Sequence, residues 1–350
     1  MPRPSPRQPS TTRRRLLRRG GATLGGATLA GLAGCSTVEF GFVGGDDLPH
    51  YATWLPAPDR VLLDPADAED EQAATLRRSY PFAVRNWPDI GARLEATGTE
   101  AEGDFEADGD DFVTEYEDGH VHPVLPLGPR DAGLEVASNR GLSVLETGLD
   151  DSAIVEAFES YATVPEPFER VGEYEGYELL ALPDSPWTVG VRDGVVVEGF
   201  RSTGFPMRIL RDPRAVVGAV VDARNGEGRY VDADGAVGAL VSHLGTGTLV
   251  RGQTYPGPTT SAGPTANSGN GTDGTATPAP TSLVDGTART LDGETFENRF
   301  VAVFESAAAA SVERLSTERS ERPFEDWTDV ETRVEGRVVV VTGTSESNLA

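Results

Sequence analysis

Residues 142–161 read LSVLETGLDDSAIVEAFESY, and this stretch decides the fold class. Its beginning, 142–147, predicts a short strand. The polar run Asp150-Asp151-Ser152 then predicts a helix start, because such side chains accept hydrogen bonds from the N–H groups of a first turn. The apolar residues that follow share one helical face: Ile154, Val155, Phe158 and Tyr161. A strand followed directly by an amphipathic helix indicates a sheet with helices packed on it.

Extended segments and further helices alternate after this stretch. In chain order they are an extended segment at 168–182, strands at 187–191 and 195–200, a helix from Asp212-Pro213, a helix at 236–244 and a strand at 248–255. Arg192-Asp193-Gly194, between the two short strands, is a hairpin turn signal. We therefore expect an α+β fold, in which a largely antiparallel sheet carries helices on one face.

The end of the chain repeats the earlier order of elements. The pattern there predicts a strand at 300–304, a helix at 307–317 with Val312 and Leu315 facing inward, and an extended segment at 330–342. In both copies the helix is followed by Pro-Phe-Glu and then by a Glu-Gly turn, at 167–169 and 175–176 and again at 323–325 and 335–336. This short match supports the hypothesis of two duplicated βαβ-like halves.

Residues 256–282 differ from the rest of the chain in composition. They are mainly Pro, Gly, Thr, Ser and Ala, with Asp273 as the one charged residue. Such a tract cannot bury enough apolar surface to order itself, so we predict that it is disordered. Strand-like segments at 248–255 and 286–291 flank it, and closing a long loop costs an entropy that grows only slowly with length. We expect a loop between two strands of one sheet; an interdomain linker is the alternative.

The first 35 residues have the pattern of an export signal. Seven arginines and no acidic residue precede Cys35, and Arg13-Arg14 followed by the apolar pair Leu16-Leu17 is a twin-arginine pattern. The uncharged run 20–34 is too short to cross a bilayer, which takes about 20 apolar residues, but it suits a signal peptide. Leu32-Ala33-Gly34, directly before Cys35, resembles the lipobox of bacterial and archaeal lipoproteins.

Cys35 is the only cysteine in the chain. The lipobox resemblance implies lipid on its sulfur, export by the twin-arginine machinery and attachment to the extracellular face of the cell membrane. Stable anchoring then needs two acyl chains, because a single chain binds a membrane only marginally. Two other interpretations stay open: an uncleaved, weakly inserting anchor, and a cysteine buried as a small apolar side chain.

The predicted organisation of the chain has five parts. They are a signal peptide over 1–34, a lipidated tether over 35–50, an α+β region over 51–255, the disordered loop over 256–282, and a C-terminal strand–helix–strand over 283–350 that completes the same sheet. Within the loop, Asn270-Gly271-Thr272 is an N-glycosylation pattern, so Asn270 is a candidate site of sugar attachment.

The charge balance indicates a protein adapted to high salt. All 30 basic residues are arginine, against 56 acidic residues, which gives a net charge of −26. Such a chain repels itself in dilute buffer, whereas at 1 M salt the screening length falls to about 3 Å. An acidic protein that binds basic partners or calcium is the alternative, although the acidic residues are spread along the chain. Nucleic-acid binding is not expected, because it needs a basic face.

Four short motifs mark a resemblance to known exported proteins. They are Trp54-Leu55-Pro56, Tyr174-Glu175-Gly176-Tyr177, Arg192-Asp193-Gly194 and Asp222-Ala223-Arg224. Together with the export signal and composition, they make the chain resemble uncharacterised twin-arginine lipoproteins of halophilic archaea. The run from Leu142 to Tyr255 is loosely similar to a group of exported bacterial proteins of unknown function. The resemblance implies no activity and no catalytic residue.

An acidic segment matches part of a calcium-binding loop. Five residues fall at positions 1, 3, 5, 6 and 12 of the EF-hand pattern: Asp104, Glu106, Asp108, Gly109 and Glu115. Carboxylates at that spacing can surround a hard cation, and Gly109 permits the sharp turn. Position 3 is Glu rather than Asp or Asn, and position 8 is Asp111 rather than aliphatic. A solvated acidic loop is therefore the alternative to calcium, and no other cofactor is expected.

His120 and His122 form a second candidate metal site. If they lie on a strand, both rings point to one face, beside the acidic residues that precede them. Zinc or manganese would suit such ligands. The alternative is a polar strand edge without a metal.

These observations favour a lipid-anchored cell-surface protein with a binding or assembly role, acting on other surface proteins rather than catalysing a reaction. One alternative is a metal-assisted extracellular hydrolase that uses His120 and His122. Another is a solute-binding receptor, which requires two lobes around a cleft.

Overall fold

The computed structural model describes residues 48–62, 80–97, 120–138, 141–161, 166–183, 185–200, 211–254, 282–312, 315, 324 and 326–346. All of these ranges belong to one unit, Gly45–Ala350. The predicted export signal with Cys35, the acidic segment from Asp104 to Glu115 and the tract with Asn270 lie outside the described residues.

The described strands form one twelve-stranded sheet in which neighbouring strands are antiparallel. They are β1 (Phe82–Asn86), β2 (Ala132–Ser138), β3 (Leu142–Thr147), β4 (Glu169–Tyr174), β5 (Tyr177–Ala181), β6 (Trp187–Arg192), β7 (Val195–Phe200), β8 (Leu249–Thr254), β9 (Ser282–Asp292), β10 (Thr295–Phe304), β11 (Thr328–Glu335) and β12 (Val338–Glu346). Their order across the sheet is β11-β12-β10-β9-β8-β1-β2-β3-β7-β6-β5-β4.

The described residues also form a short 3₁₀ turn, His50–Trp54, and six α-helices. The helices are α1 (Pro58–Val61), α2 (Trp87–Thr97), α3 (Asp151–Glu159), α4 (Pro213–Arg224), α5 (Tyr230–Ala233) and α6 (Gly235–Leu244). The predicted α+β class with a large antiparallel sheet is therefore confirmed.

Two halves of the sheet, each a three-stranded meander followed by returning strands, meet where β1 pairs with β8, with four returning strands in the first half and two in the second. In the first half β1, β2 and β3 form a meander, the chain crosses through α3, and β4 to β7 return so that β7 pairs with β3. In the second half β8, β9 and β10 form a meander, and β11 and β12 return so that β12 pairs with β10. The strand after the first Glu-Gly turn, β5, is separated from β3 by two strands, whereas its counterpart β12 pairs directly with β10, so the duplication stays a hypothesis. Residues 255–281 join β8 to β9, which are neighbours in the sheet.

Helices cover both faces of the sheet. On β7, Val197 packs in the same core as α4 and α6, whereas Val196 packs in a second core with α3. The prediction of helices on one face therefore holds for α4 and α6 and is wrong for α3. The physical reason is that the strands β5 to β7 are apolar on both sides, so both faces need cover.

The prediction of inward-facing residues over 307–317 is correct at one position and wrong at the other. Leu315 is buried beside Phe300 in a third core, whereas Val312 is exposed.

Helix α4 is fixed in place at both of its ends. The Asp212 side chain accepts a hydrogen bond from a first-turn N–H, and Pro213 occupies a position that needs no donor. Gly199 on β7 lets the start of the helix lie close, because a Cβ there would overlap the Pro213 carbonyl oxygen. In the middle of the helix, the ring of Tyr174 lies 3.6 Å from the place where a Cβ of Gly218 would stand, and in the last turn Asp222 accepts a hydrogen bond from the Tyr174 hydroxyl. The second half of α4 therefore lies beside the β4–β5 hairpin.

The predicted hairpin at Arg192-Asp193-Gly194 is confirmed as the β6–β7 turn. Both central residues have positive φ, 51° at Asp193 and 73° at Gly194, as such turns require. The Asp151 carboxylate accepts hydrogen bonds from the N–H groups of both residues, at 3.0 and 2.7 Å. The first turn of α3 is thus tied to the hairpin.

Candidate functional site

Four strands of the first half, β3 to β6, have one of their ends on the same side of the molecule, beside the 3₁₀ turn and the last turn of α4. The side chains gathered there, which we call the rim cluster, are His50, Trp54, Glu146, Tyr174, Tyr177, Arg192, Asp222 and Arg224. They come from the 3₁₀ turn, β3, β4, β5, β6 and α4. The cluster therefore depends on the fold of the whole half.

Asp222 on α4 connects the rim cluster's β4 to α1, which lies outside the cluster. One carboxylate oxygen accepts a hydrogen bond from the Tyr174 hydroxyl at 2.7 Å, and the other accepts from Arg60 on α1 at 2.7 Å. The hydrogen bond to Asp222 is the main reason that the pKa of Tyr174 is raised. The Tyr174 ring passes over Gly218, one turn earlier on α4, to reach Asp222 along the surface of the helix.

Trp54 lies at the centre of a second set of contacts. It is 1% exposed, and its indole N–H donates to Glu146 Oε1 at 3.1 Å. The same oxygen lies 2.6 Å from Nε2 of His50. On the indole face, the guanidinium carbon of Arg224 lies 4.8 Å from the ring centroid, an arrangement typical of cation–π attraction.

Tyr177 lies below the guanidinium of Arg192. The guanidinium carbon is 5.8 Å from the ring centroid, and the group also donates to the Glu175 carbonyl at 2.8 Å and to Asp193 at 3.1 Å. Burial raises the pKa of Tyr177, while the positive charges of Arg192 and Arg224 act in the opposite direction. The Arg192 side chain is 47% exposed, so a fixed cation faces solvent.

Many polar groups in and beside the rim cluster contact one another. The Thr53 hydroxyl donates to the His50 carbonyl and accepts from Arg224, so it is not hydrogen-bonded to the imidazole as an activated nucleophile would be. Glu146 Oε1 takes both the indole N–H and the His50 contact. Exposed aromatic and guanidinium groups remain at the rim.

The four sequence motifs that marked the family resemblance meet in the rim cluster. Trp54, Tyr174, Tyr177, Arg192, Asp222 and Arg224 all come from them. From the sequence, these residues were interpreted as features of the fold, and no functional site was predicted at them. It missed Glu146 and His50, because nothing in the local sequence connects residues so far apart along the chain.

His122 lies in a buried polar contact on the opposite face of the sheet. Its Nδ1 accepts hydrogen bonds from the N–H groups of Val124 and Leu125, both at 3.1 Å. Its Nε2 lies 3.4 Å from Glu198, whose carboxylate also accepts from Trp187 at 3.2 Å. His122 and Glu198 are 5% and 7% exposed. The Nδ1 atom is therefore fully engaged by backbone, whereas the buried Nε2 atom has Glu198 as its neighbour but makes no hydrogen bond to any described residue.

The predicted strand through His120 and His122 is wrong. The segment from Val121 to Leu125 is a series of bends, with His120 exposed and His122 buried. Prolines at 123 and 126 lack the N–H that a strand ladder needs. Within the described ranges, no group of three or more His, Cys, Asp and Glu side chains is placed to hold a metal ion.

The remaining predicted site residues lie outside the described residues and stay predictions. They are the export pair Arg13 and Arg14, the lipobox Leu32, Ala33 and Gly34, the lipidation site Cys35, the calcium candidates Asp104, Glu106, Asp108 and Glu115, and the glycosylation candidate Asn270. None of the helices in the described part of the chain is both long enough and apolar enough to span a bilayer.

Comparison with known proteins gives only distant structural similarity. No protein-family model and no curated protein matches the chain. Crystal form III of TP0453 is 8% identical with a TM-score of 0.40, and the match covers 76% of this chain and 90% of that one. Crystal form I of TP0453 is also 8% identical, with a TM-score of 0.36 and coverage of 81% and 96%. Similarity at this level does not indicate a shared function.

Proposed function

We propose that this chain is a lipid-anchored protein of the extracellular membrane face in a salt-adapted cell, and that it binds a polar partner through the rim cluster. The anchor rests on the twin-arginine pair Arg13-Arg14 and the lipobox before Cys35. The proposal includes the resemblance to exported lipoproteins of halophilic archaea, which has the same implication.

One observation carries the binding role: Arg192 is exposed yet held in one orientation. The Tyr177 ring, the Glu175 carbonyl and Asp193 all contact its guanidinium. A group that is already ordered loses little entropy when a partner binds, and arginine and tyrosine are frequent at binding hot spots. The free N–H donors of such a group suit a partner that offers hydrogen-bond acceptors.

No observation favours the two alternative functions. A hydrolase that uses His122 as a metal ligand would have to displace the two backbone N–H groups from Nδ1 or the neighbouring Glu198 from Nε2. A solute receptor needs two lobes, whereas the described strands belong to one sheet.

The anchor is tested by the intact mass of the protein extracted from membranes of the native host. We expect a chain that begins at Cys35 and carries a lipid. The Cys35→Ser variant should lack the lipid and appear in the medium. A membrane-bound protein of full length, or one that starts at Cys35 without lipid, would contradict the anchor.

The binding role is tested with the secreted Cys35→Ser protein and envelope preparations of the same host in molar salt. We expect saturable binding that falls at least about tenfold when Arg192→Ser removes the fixed guanidinium. Arg170→Ser is the matched control, because Arg170 is also exposed, and pairs with Glu159 and Glu178 away from the rim cluster. The proposal fails if no saturable binding occurs, or if both variants bind like the parent.

A further inference from the structure

Strand β11 is an edge strand of the sheet and exposes two valine side chains. Among the described strands it pairs only with β12. Val330 and Val334 are 45% and 50% exposed. An edge strand presents unpaired backbone N–H and C=O groups, which are a template for pairing with another strand.

The opposite edge strand, β4, is protected against pairing. Its register shifts between Arg170 and Gly172, and Gly172 has a φ of 137°. Arg170 is held by Glu159 and Glu178. A bulge and charged side chains are two devices by which edge strands avoid association. On β11 the register shift lies near the beginning, between Thr328 and Glu331, and leaves Glu331 to Glu335 regular.

The sequence of β11 is complementary to itself in one antiparallel register. When two copies pair around a two-fold axis at Thr332, Glu331 lies opposite Arg333 of the second copy, and Val334 lies opposite the end of the second copy's register shift at Val330. Glu331 and Arg333 share one side of the strand within its regular part, whereas Val330 follows Asp329, which has a φ of 51°. A two-fold axis at Arg333 would instead place Arg333 against Arg333 and Glu331 against Glu335.

We infer that two copies of this chain associate through β11 in the register centred on Thr332, so that one sheet continues across both. Valine pairs and opposite charges directly across from each other stabilise adjacent strands. Two acidic chains also repel each other over long distances, because the full chain has a net charge of −26. This long-range repulsion is screened at high salt, whereas pairs in contact between strands are screened less, so the dimer forms in molar salt and weakens as salt falls.

Sedimentation of the secreted Cys35→Ser protein in molar salt tests this inference. We expect a dimer whose dissociation constant rises more than about tenfold for Val334→Asp, since each exchange affects two symmetric contacts. Val171→Asp on β4 is the matched control, because Val171 is 40% exposed on the other edge strand. A monomeric parent protein, or equal effects of the two variants, would overturn the inference.

Charge exchange tests the register itself. Glu331→Arg alone puts arginines opposite each other in both symmetric pairs, and Arg333→Glu alone does the same with glutamates. Each should weaken the dimer about tenfold, and the double exchange should restore it. A double variant that stays as weak as the single ones would rule out the register centred on Thr332. Circular dichroism of each variant checks that the fold is kept.

Discussion

At the residue scale, two buried tyrosines differ in whether their hydroxyl has a partner. Tyr51 is fully buried against Phe82, and no described residue accepts or donates a hydrogen bond at its hydroxyl. The Tyr230 hydroxyl is hydrogen-bonded to Thr254. Burial raises the pKa of both tyrosines. A buried polar group without a partner costs free energy, so the Tyr51 hydroxyl destabilises the fold.

We predict that Tyr51→Phe leaves the free energy of unfolding unchanged or raises it by about 1 kcal/mol, whereas Tyr230→Phe lowers it by about 1 kcal/mol. Urea unfolding at neutral pH in molar salt measures both. A clear loss of stability in Tyr51→Phe would mean that its hydroxyl has a partner after all.

The same two tyrosines predict a loss of stability in alkali. Their pKa values are raised in the folded state, so the unfolded chain loses the two protons first as the pH rises. The free energy of unfolding is therefore unaffected by these groups below about pH 10, the pKa of tyrosine in an unfolded chain, and falls as the pH rises above it. Unfolding measured between neutral pH and strong alkali should show this decline. Tyr51→Phe should make the decline shallower. An identical pH profile in the variant would contradict the assignment to Tyr51.

At the scale of elements, glycines set how closely α4 approaches the sheet and the β4–β5 hairpin. A Cβ at Gly199 would overlap the Pro213 carbonyl oxygen, which is backbone and cannot move aside without moving the helix. A Cβ at Gly218 would make an ordinary contact with the Tyr174 ring at 3.6 Å. The two positions therefore respond oppositely to one added methyl group.

We predict that Gly199→Ala lowers the free energy of unfolding by about 3 kcal/mol, because the start of α4 must shift from β7. Gly218→Ala should raise it by up to about 1 kcal/mol, because alanine favours the helix. Denaturant midpoints of the two variants give the comparison. If Gly199→Ala is as stable as the parent protein, α4 does not approach β7 as closely as described.

At the scale of the whole molecule, charge makes the fold depend on salt. The net charge of −26 favours expanded over compact states in dilute buffer. Repulsion over distances beyond about 3 Å is screened at 1 M salt. The sheet, which joins distant parts of the chain, brings this charge together on folding.

We predict that the free energy of unfolding falls steadily as potassium chloride is lowered from molar to millimolar concentration. Thermal unfolding at a series of salt concentrations measures the dependence. Sodium chloride at equal ionic strength is the control, because it screens charge as potassium chloride does and should restore the same stability. A melting temperature independent of salt would contradict adaptation to brine.

Local sequence signals were sufficient for several elements. The strand at 142–147, the helix after Asp150, the β6–β7 hairpin and the helix after Asp212 were all predicted and are all present. Each depends on neighbours in sequence: a helix-capping side chain, a spacing of apolar residues or a turn residue with positive φ. The α+β class follows from these elements.

Only the tertiary structure determined the features that depend on contacts between residues far apart in the chain. Strands β1 and β2 were not predicted, because their pairing with β8 and β3 in the middle of the sheet makes them strands. The face that α3 covers was also undetermined, since its apolar stripe could meet either side. Glu146, Arg192 and Arg224 come together only when β3, β6 and α4 pack, because a residue's long-range contacts are set by the sheet order and not by its neighbours in sequence.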